Sequence, residues 1–243
     1  MTNIWYMITA FTVAEHRTER YKRVQQIMVK KFISTAARQR VNSQGYYEAV
    51  DSPRLQYEVE NSYPILAPIN GYVEEGDEVE LIIVRMLPND EVGAAIALEN
   101  SRSMGEHARE LCRQKGACLR EIHDLVVPDD EGLDTQLNIF ESLISMVKTG
   151  DRIFVDLTFG TKTQMLAQTL AINYAYQAVP GATVECVVYG NLNFQTGKKR
   201  IYDVTALFLM DQIVNRIAAI HLPDPAGAIR MIIGNNTDAE EEE

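Results

Sequence analysis

Apolar positions along this chain alternate between short unbroken runs and longer stretches at helical spacing. Residues 4–8, 79–84, 119–127, 153–155 and 183–189 predict strands, and the apolar run 153–155, bounded by Gly150-Asp151, reads as one covered on both faces. Gly76-Asp77 and Gly150-Asp151 open two of them in the same way. Between the runs the period becomes helical over 14–38, 93–115, 133–148, 161–176 and 205–220. The first of these places Tyr21, Val24, Ile27, Met28, Phe32 and Ile33 on one face. Arg17, Arg20, Lys22, Arg23, Lys30, Lys31, Arg38 and Arg40 form a solvated basic side. Thr196-Gly197 predicts a turn joining two edge strands within 192–204. Residues 41–75, with Pro53, Pro64, Pro68 and Gly71, read as an irregular insertion.

Strands alternating with helices imply an α/β fold with right-handed crossovers. The expected architecture is Rossmann-like: a mostly parallel sheet, helices on both faces, and an edge hairpin. One domain over residues 1–221 accounts for the pattern, with the insertion at about 41–75. A short extension at 222–243 follows, ending in an acidic tail expected to be disordered.

Composition narrows the function. The 243 residues carry a net charge of −11, which argues against binding long nucleic acid through a basic face. Five of the 34 acidic residues lie in the tail, and without them 29 acids face 23 bases, a charge of −6. An acidic chain still binds a small anion where a cavity is lined by N–H groups and a few cations. No apolar run approaches the length of a membrane span and no signal peptide is legible, so a cytoplasmic protein is expected. Cys112, Cys118 and Cys186 lack metal or redox spacing and read as reduced thiols. His16, His107, His123 and His221 are scattered, so neither a metal nor another cofactor is expected.

The candidate chemistry sits between the run 153–155 and the helix 161–176, in Asp156-Leu157-Thr158-Phe159-Gly160-Thr161-Lys162-Thr163. A strand end feeding a helix start collects unpaired N–H groups and the positive end of the helix dipole. Thr158, Thr161 and Thr163 bring hydroxyls and Lys162 a mobile charge; a capped turn with a solvated lysine is the alternative. The glycine pattern is neither that of a P-loop nor that of a dinucleotide fingerprint. Ala10-Phe11-Thr12, after the first run, is a second strand-end loop.

Asp-hydrophobic-Thr-X-Gly-X-Lys after a buried strand resembles the signature loop of the CRISPR-associated Rossmann fold (CARF) family. The likeness is to its Asp-X-Thr-His-Gly-X-Arg branch, with Phe159 in place of the histidine and Lys162 of the arginine. Val187-Val188-Tyr189-Gly190-Asn191 followed by Ile201-Tyr202-Asp203-Val204-Thr205 is similar to a second segment of that branch. The resemblance covers roughly residues 1–220, in outline only over the first 75.

That resemblance implies a homodimer binding a cyclic oligoadenylate, the messenger of type III CRISPR systems, across its two-fold axis. Cyclic tetra-adenylate is the expected ring, with cyclic hexa-adenylate as the alternative. Thr158, Phe159, Gly160, Thr161, Lys162 and Thr163 would line the phosphate and ribose side. Tyr189, Gly190 and Asn191 would form a neighbouring wall, and Ala10, Phe11 and Thr12 would complete it. It implies two outcomes: a metal-independent ring nuclease, with Lys162 stabilising charge and Thr158 or Thr12 orienting the ribose, or a non-catalytic sensor. A sensor would signal through a partner protein on the basic first helix, the 41–75 insertion or the acidic tail. A Rossmann-like enzyme acting on a mononucleotide or sugar phosphate is the reading outside this family. Arg216 and His221, like Arg102 and His107, fit the Arg-x4-His spacing of HEPN ribonucleases, but only about 20 residues follow His221, too few for that domain.

Overall fold

A computed structural model of the chain describes residues 28–41, 44–193 and 195–219, with positions 224, 226, 227 and 231. The strand expected at 4–8, the loop Ala10-Phe11-Thr12, residues 14–27 of the expected first helix, His221 and the acidic tail lie outside the described residues.

The strands are β1 (Val29–Thr35), β2 (Tyr47–Ala49), β3 (Glu78–Leu87), β4 (Cys118–Pro128), β5 (Arg152–Asp156), β6 (Thr183–Leu192) and β7 (Lys199–Asp203). The helices are α1 (Leu66–Tyr72), α2 (Glu91–Gln114), α3 (Leu133–Met146), α4 (Lys162–Ala178) and α5 (Thr205–Ala219). Among the described residues, seven strands join one sheet in the order β2-β7-β6-β5-β1-β3-β4. The five from β6 to β4 run parallel. β7 returns antiparallel to β6, and β2 lies parallel to β7. The fold is α/β and Rossmann-like, as the alternation predicts. One detail differs: β2 covers the hairpin, so β7 is not the edge of the sheet.

The segment expected to complete a helix at 29–38 is instead the central strand. Val29–Thr35 is buried along its whole length and pairs with β3 on one side and β5 on the other. Two adjacent lysines suggested a solvated helix face. In the strand they point to opposite faces, and each meets acid supplied by distant sequence. Lys30 Nζ reaches Asp77 at 2.5 Å and the Tyr72 carbonyl at 2.6 Å. Lys31 pairs closely with Glu80 and lies 3.5 Å from Asp151. With those charges matched, Val29, Phe32, Ile33 and Thr35 set the conformation, as residues that suit a buried pleated surface.

Strand residues alternate between two cores. Phe32, Leu81, Ile83 and Phe154 pack toward α1 and α2, with the Phe32 and Phe154 rings stacked at 4.5 Å. Ile33, Ile82, Val84, Ile153 and Val155 pack toward α3, α4 and Phe208 of α5. The segment expected to be irregular contributes Tyr47, Leu55, Tyr63, Ile65, Leu66, Ile69 and Val73 to the first core. It covers the sheet rather than hanging from it.

After β1 the chain crosses to β2 at the far edge and returns through α1 to β3 and β4 on one side of β1, then continues with β5 and β6 on the other side. The crossover after β1 packs α1 on one face of the sheet and the crossover after β5 packs α4 on the other, which leaves a crevice at the strand carboxyl ends where ligands of open α/β sheets bind.

Candidate functional site

The two loops flanking this crevice are residues 36–41 after β1 and 157–161 after β5. The first is held from below. Ala36 N–H donates to the Val84 carbonyl at 2.9 Å. The buried Asn100 of α2 donates to the carbonyls of Ala37 and Gln39 at 2.8 and 2.9 Å. Arg38, Gln39 and Arg40 are consequently presented on a fixed backbone. Arg38 pairs with Asp129, just beyond β4.

The second loop is built on Asp156, which is fully buried. Its carboxylate accepts from Ser34 Oγ at 2.9 Å, from the Thr158 N–H at 2.9 Å, and from the Thr158 hydroxyl. Burial pushes the Asp156 carboxyl above its ordinary value, and these hydrogen bonds offset part of that rise. Thr158 Oγ1 in turn accepts the Gly190 N–H at 2.7 Å. The chain Ser34–Asp156–Thr158–Gly190 thus ties β1, β5 and β6 together under the crevice.

Glycine is required twice here. Gly160 has φ +117°, a conformation side chains disfavour. At Gly190 a Cβ would meet Pro64 Cγ at 2.6 Å and Thr158 Oγ1 at 3.0 Å. Thr161 caps α4, its hydroxyl accepting from Gln164 N at 3.2 Å. Thr163 donates to Glu131 at 2.6 Å. Lys162, the first residue of α4, is exposed and has no ion-pair partner among the described residues.

Two adjoining cavities occupy the crevice. One, of about 540 Å³, lies between the β1, β3, β4 and β5 ends and is lined by Arg38, Pro88, Asp90, Gly93, Asp129 and Gly160, among others. The other, of about 480 Å³, lies toward β6 and β7 and includes Arg40, Tyr47, Ser62, Tyr189, Asn191 and Lys199. Gln39, Thr158 and Phe159 line both, so the cavities form one groove that meets at these three residues. Lys199 is buried beneath the second cavity. Its ammonium donates to the Asn61 carbonyl at 2.8 Å and sits 5.3 Å from the centre of the Tyr47 ring, and burial lowers its pKa.

Of the residues singled out in the sequence, Thr158, Phe159, Gly160, Tyr189, Gly190 and Asn191 come together around this groove. Thr161, Lys162 and Thr163 adjoin it at the start of α4 without lining either cavity. Ala10, Phe11 and Thr12 lie outside the described residues. Sequence reasoning missed the β1 loop as the opposite wall. The available signal was Ser34-Thr35-Ala36-Ala37, a shift from bulky to small residues after Phe32-Ile33 that parallels the Asp156–Gly160 turn.

The rest of the acidic rim is engaged locally: Asp90 caps α2 by accepting from Gly93 N at 2.7 Å, and Asp130 accepts from Gly132 N and Thr135. Among the described residues, no helix is long and apolar enough to cross a membrane. No protein-family model matches the chain, and no curated protein is significantly similar to it.

Proposed function

We propose that this protein binds a cyclic oligoadenylate, cyclic tetra-adenylate in the first instance, in the groove between the β1 and β5 loops. Two copies related by a two-fold axis would share the ring, as the resemblance to CARF proteins of type III CRISPR signalling implies. The observation that carries the reading is the two-chambered groove at the point where strand order reverses. Phe159 lines both chambers, and a glycine turn and a helix start flank them. Each chamber falls within the range of about 300–1,000 Å³ usual for small-molecule sites. Two in series favour a ligand of several nucleosides over a mononucleotide or sugar phosphate. Phe159 offers a stacking face for adenine, a contact worth about 1–3 kcal/mol.

The geometry supports recognition more directly than cleavage. The Thr158 hydroxyl proton is committed to Asp156, so it does not serve a ribose oxygen unless that bond is given up. Lys162 supports the ring-nuclease reading, being a cation without an ion-pair partner among the described residues beside the Gly160 turn. In that reaction a ribose 2′-oxygen forms a bond to the adjacent phosphorus, and the bond to the 5′-oxygen breaks. The 2′-hydroxyl proton ends on that leaving oxygen. Positioning and charge stabilisation suffice for such a step.

The deciding experiment incubates purified protein with cyclic tetra-adenylate in chelator and follows the ring by liquid chromatography. Linear di-adenylate ending in a 2′,3′-cyclic phosphate identifies a ring nuclease, and Lys162→Ala is then expected to abolish turnover while weakening binding less. Intact ring held by a dimer identifies a sensor. Failure to bind either the tetra- or the hexa-adenylate ring would overturn the proposal.

A further inference from the structure

The groove is electrically lopsided. Its β3/β4 chamber is lined by two carboxylates, Asp90 and Asp129, against one cation, Arg38, whose guanidinium is already paired with Asp129. Its β6/β7 chamber is lined, among the described residues, by Arg40 and Lys199 and by no carboxylate. A phosphodiester placed in the first chamber would face net negative charge at short range. Placed in the second it meets the Arg40 guanidinium and the Lys199 ammonium, with the Asn191 amide and Ser62 hydroxyl as further hydrogen-bonding groups.

Within the second chamber, Arg40 is the residue placed to move onto a ligand. It is exposed and makes no ion pair or hydrogen bond with any described residue. Its backbone is nonetheless positioned by the Asn100 bridge to the carbonyls of Ala37 and Gln39. A mobile guanidinium on a fixed loop suits bidentate capture of a phosphate. Lys199 is anchored beneath the floor by the Asn61 carbonyl and contributes through its field.

We propose, resting on the messenger-binding reading above, that the groove orients its ligand by charge. Phosphodiesters of the ring lie in the β6/β7 chamber against Arg40, leaving the others to the Gly160 turn beside Lys162, and the nucleoside hydroxyl and amine groups face Asp90 and Asp129. In a two-fold dimer each copy contributes one Arg40, so two phosphates of the ring are held in equivalent contacts.

The test measures binding of cyclic tetra-adenylate by titration calorimetry at several salt concentrations. It compares the unmodified protein with Arg40→Gln, Arg40→Lys and Arg109→Gln. Arg109 is an exposed arginine on α2 far along the helix from the groove, and its variant controls for net charge. Arg40→Gln is expected to weaken binding about tenfold or more, as loss of a charge-assisted phosphate contact does. The slope of log K against log salt should fall by about 0.7 for each contact removed. Arg40→Lys should retain most of the slope while recovering only part of the affinity, and Arg109→Gln should change neither. If Arg40→Gln binds with the unmodified affinity and slope, or matches Arg109→Gln, the charge-oriented subsite is refuted while messenger binding stands. If the unmodified protein binds no ring at all, both proposals fall together.

Discussion

Replacing Thr158 by valine separates two roles that a site threonine can have. The side chains are nearly isosteric, so the change removes the hydroxyl and little else. That hydroxyl donates to the fully buried Asp156 and accepts the Gly190 N–H at 2.7 Å. Losing a hydrogen bond to a charged group costs about 1.5–3 kcal/mol, and stranding a backbone N–H costs about 1–3 kcal/mol. Asp156 keeps Ser34 Oγ and the Thr158 N–H, which places the expected total near the lower end, about 3 kcal/mol. For a chain of this size that lowers Tm by about 6–12 °C. Thr158→Ser keeps the hydroxyl and should stay within about 1 kcal/mol of the unmodified protein.

The penalty should also depend on pH. Burial holds the folded Asp156 carboxyl above its unfolded value, so its contribution is most favourable when protonated and is lost as pH rises through the folded value. Removing a donor raises that folded value further. Urea unfolding of Thr158→Val at pH 5, 7 and 8 should therefore show a deficit that widens upward. A Thr158→Val protein that unfolds like the unmodified one at every pH, yet no longer binds ligand, would refute this reasoning and make the hydroxyl a ligand contact.

Two further outcomes follow from other parts of the fold. Lys31→Met leaves Glu80 and Asp151 buried without their cation, and should cost about 3–5 kcal/mol near neutral pH by chemical unfolding. The Lys31 ammonium holds Glu80 below the usual carboxylate range, so the stability it confers is present above that range and fades as pH falls. The gap between variant and unmodified protein should accordingly narrow in acid, and a pH-independent gap would contradict the assignment. Gly190→Ala forces a methyl against Pro64 and Thr158 at 2.6 and 3.0 Å and should cost about 1–3 kcal/mol. It should also weaken ligand binding, whereas Gly197→Ala, at a turn with open space around it, pays only the backbone strain of φ +69°. Equal stability of the Gly190 variant and the unmodified protein would show that the β6 wall yields easily.

The sequence by itself determined what depends on nearest neighbours and local period. The run Ile153–Val155, the turn through Gly160 and the helical spacing beyond it form a local unit, and the structure contains it as β5, the loop and α4. The later hairpin and α5 were legible for the same reason. What resisted were segments whose character depends on residues far away. Lys30 and Lys31 look solvated until Asp77, Glu80 and Asp151, 47 to 120 positions away, neutralise them and free the segment to be the central strand. Residues 41–75 lack a legible period because β2 and α1 are only three and seven residues long, and Tyr47, Leu55, Tyr63 and Ile69 fill gaps over an existing sheet.

The site divides along the same line. The Thr158–Gly160 turn can be read from its own residues. That Arg38, Gln39 and Arg40 stand opposite it, and that Gly190 closes on Thr158, is decided only when β1 settles between β5 and β3. Strand order is a property of the assembled sheet. It follows from which apolar faces bury one another and which charges find partners, and no window of adjacent residues contains it.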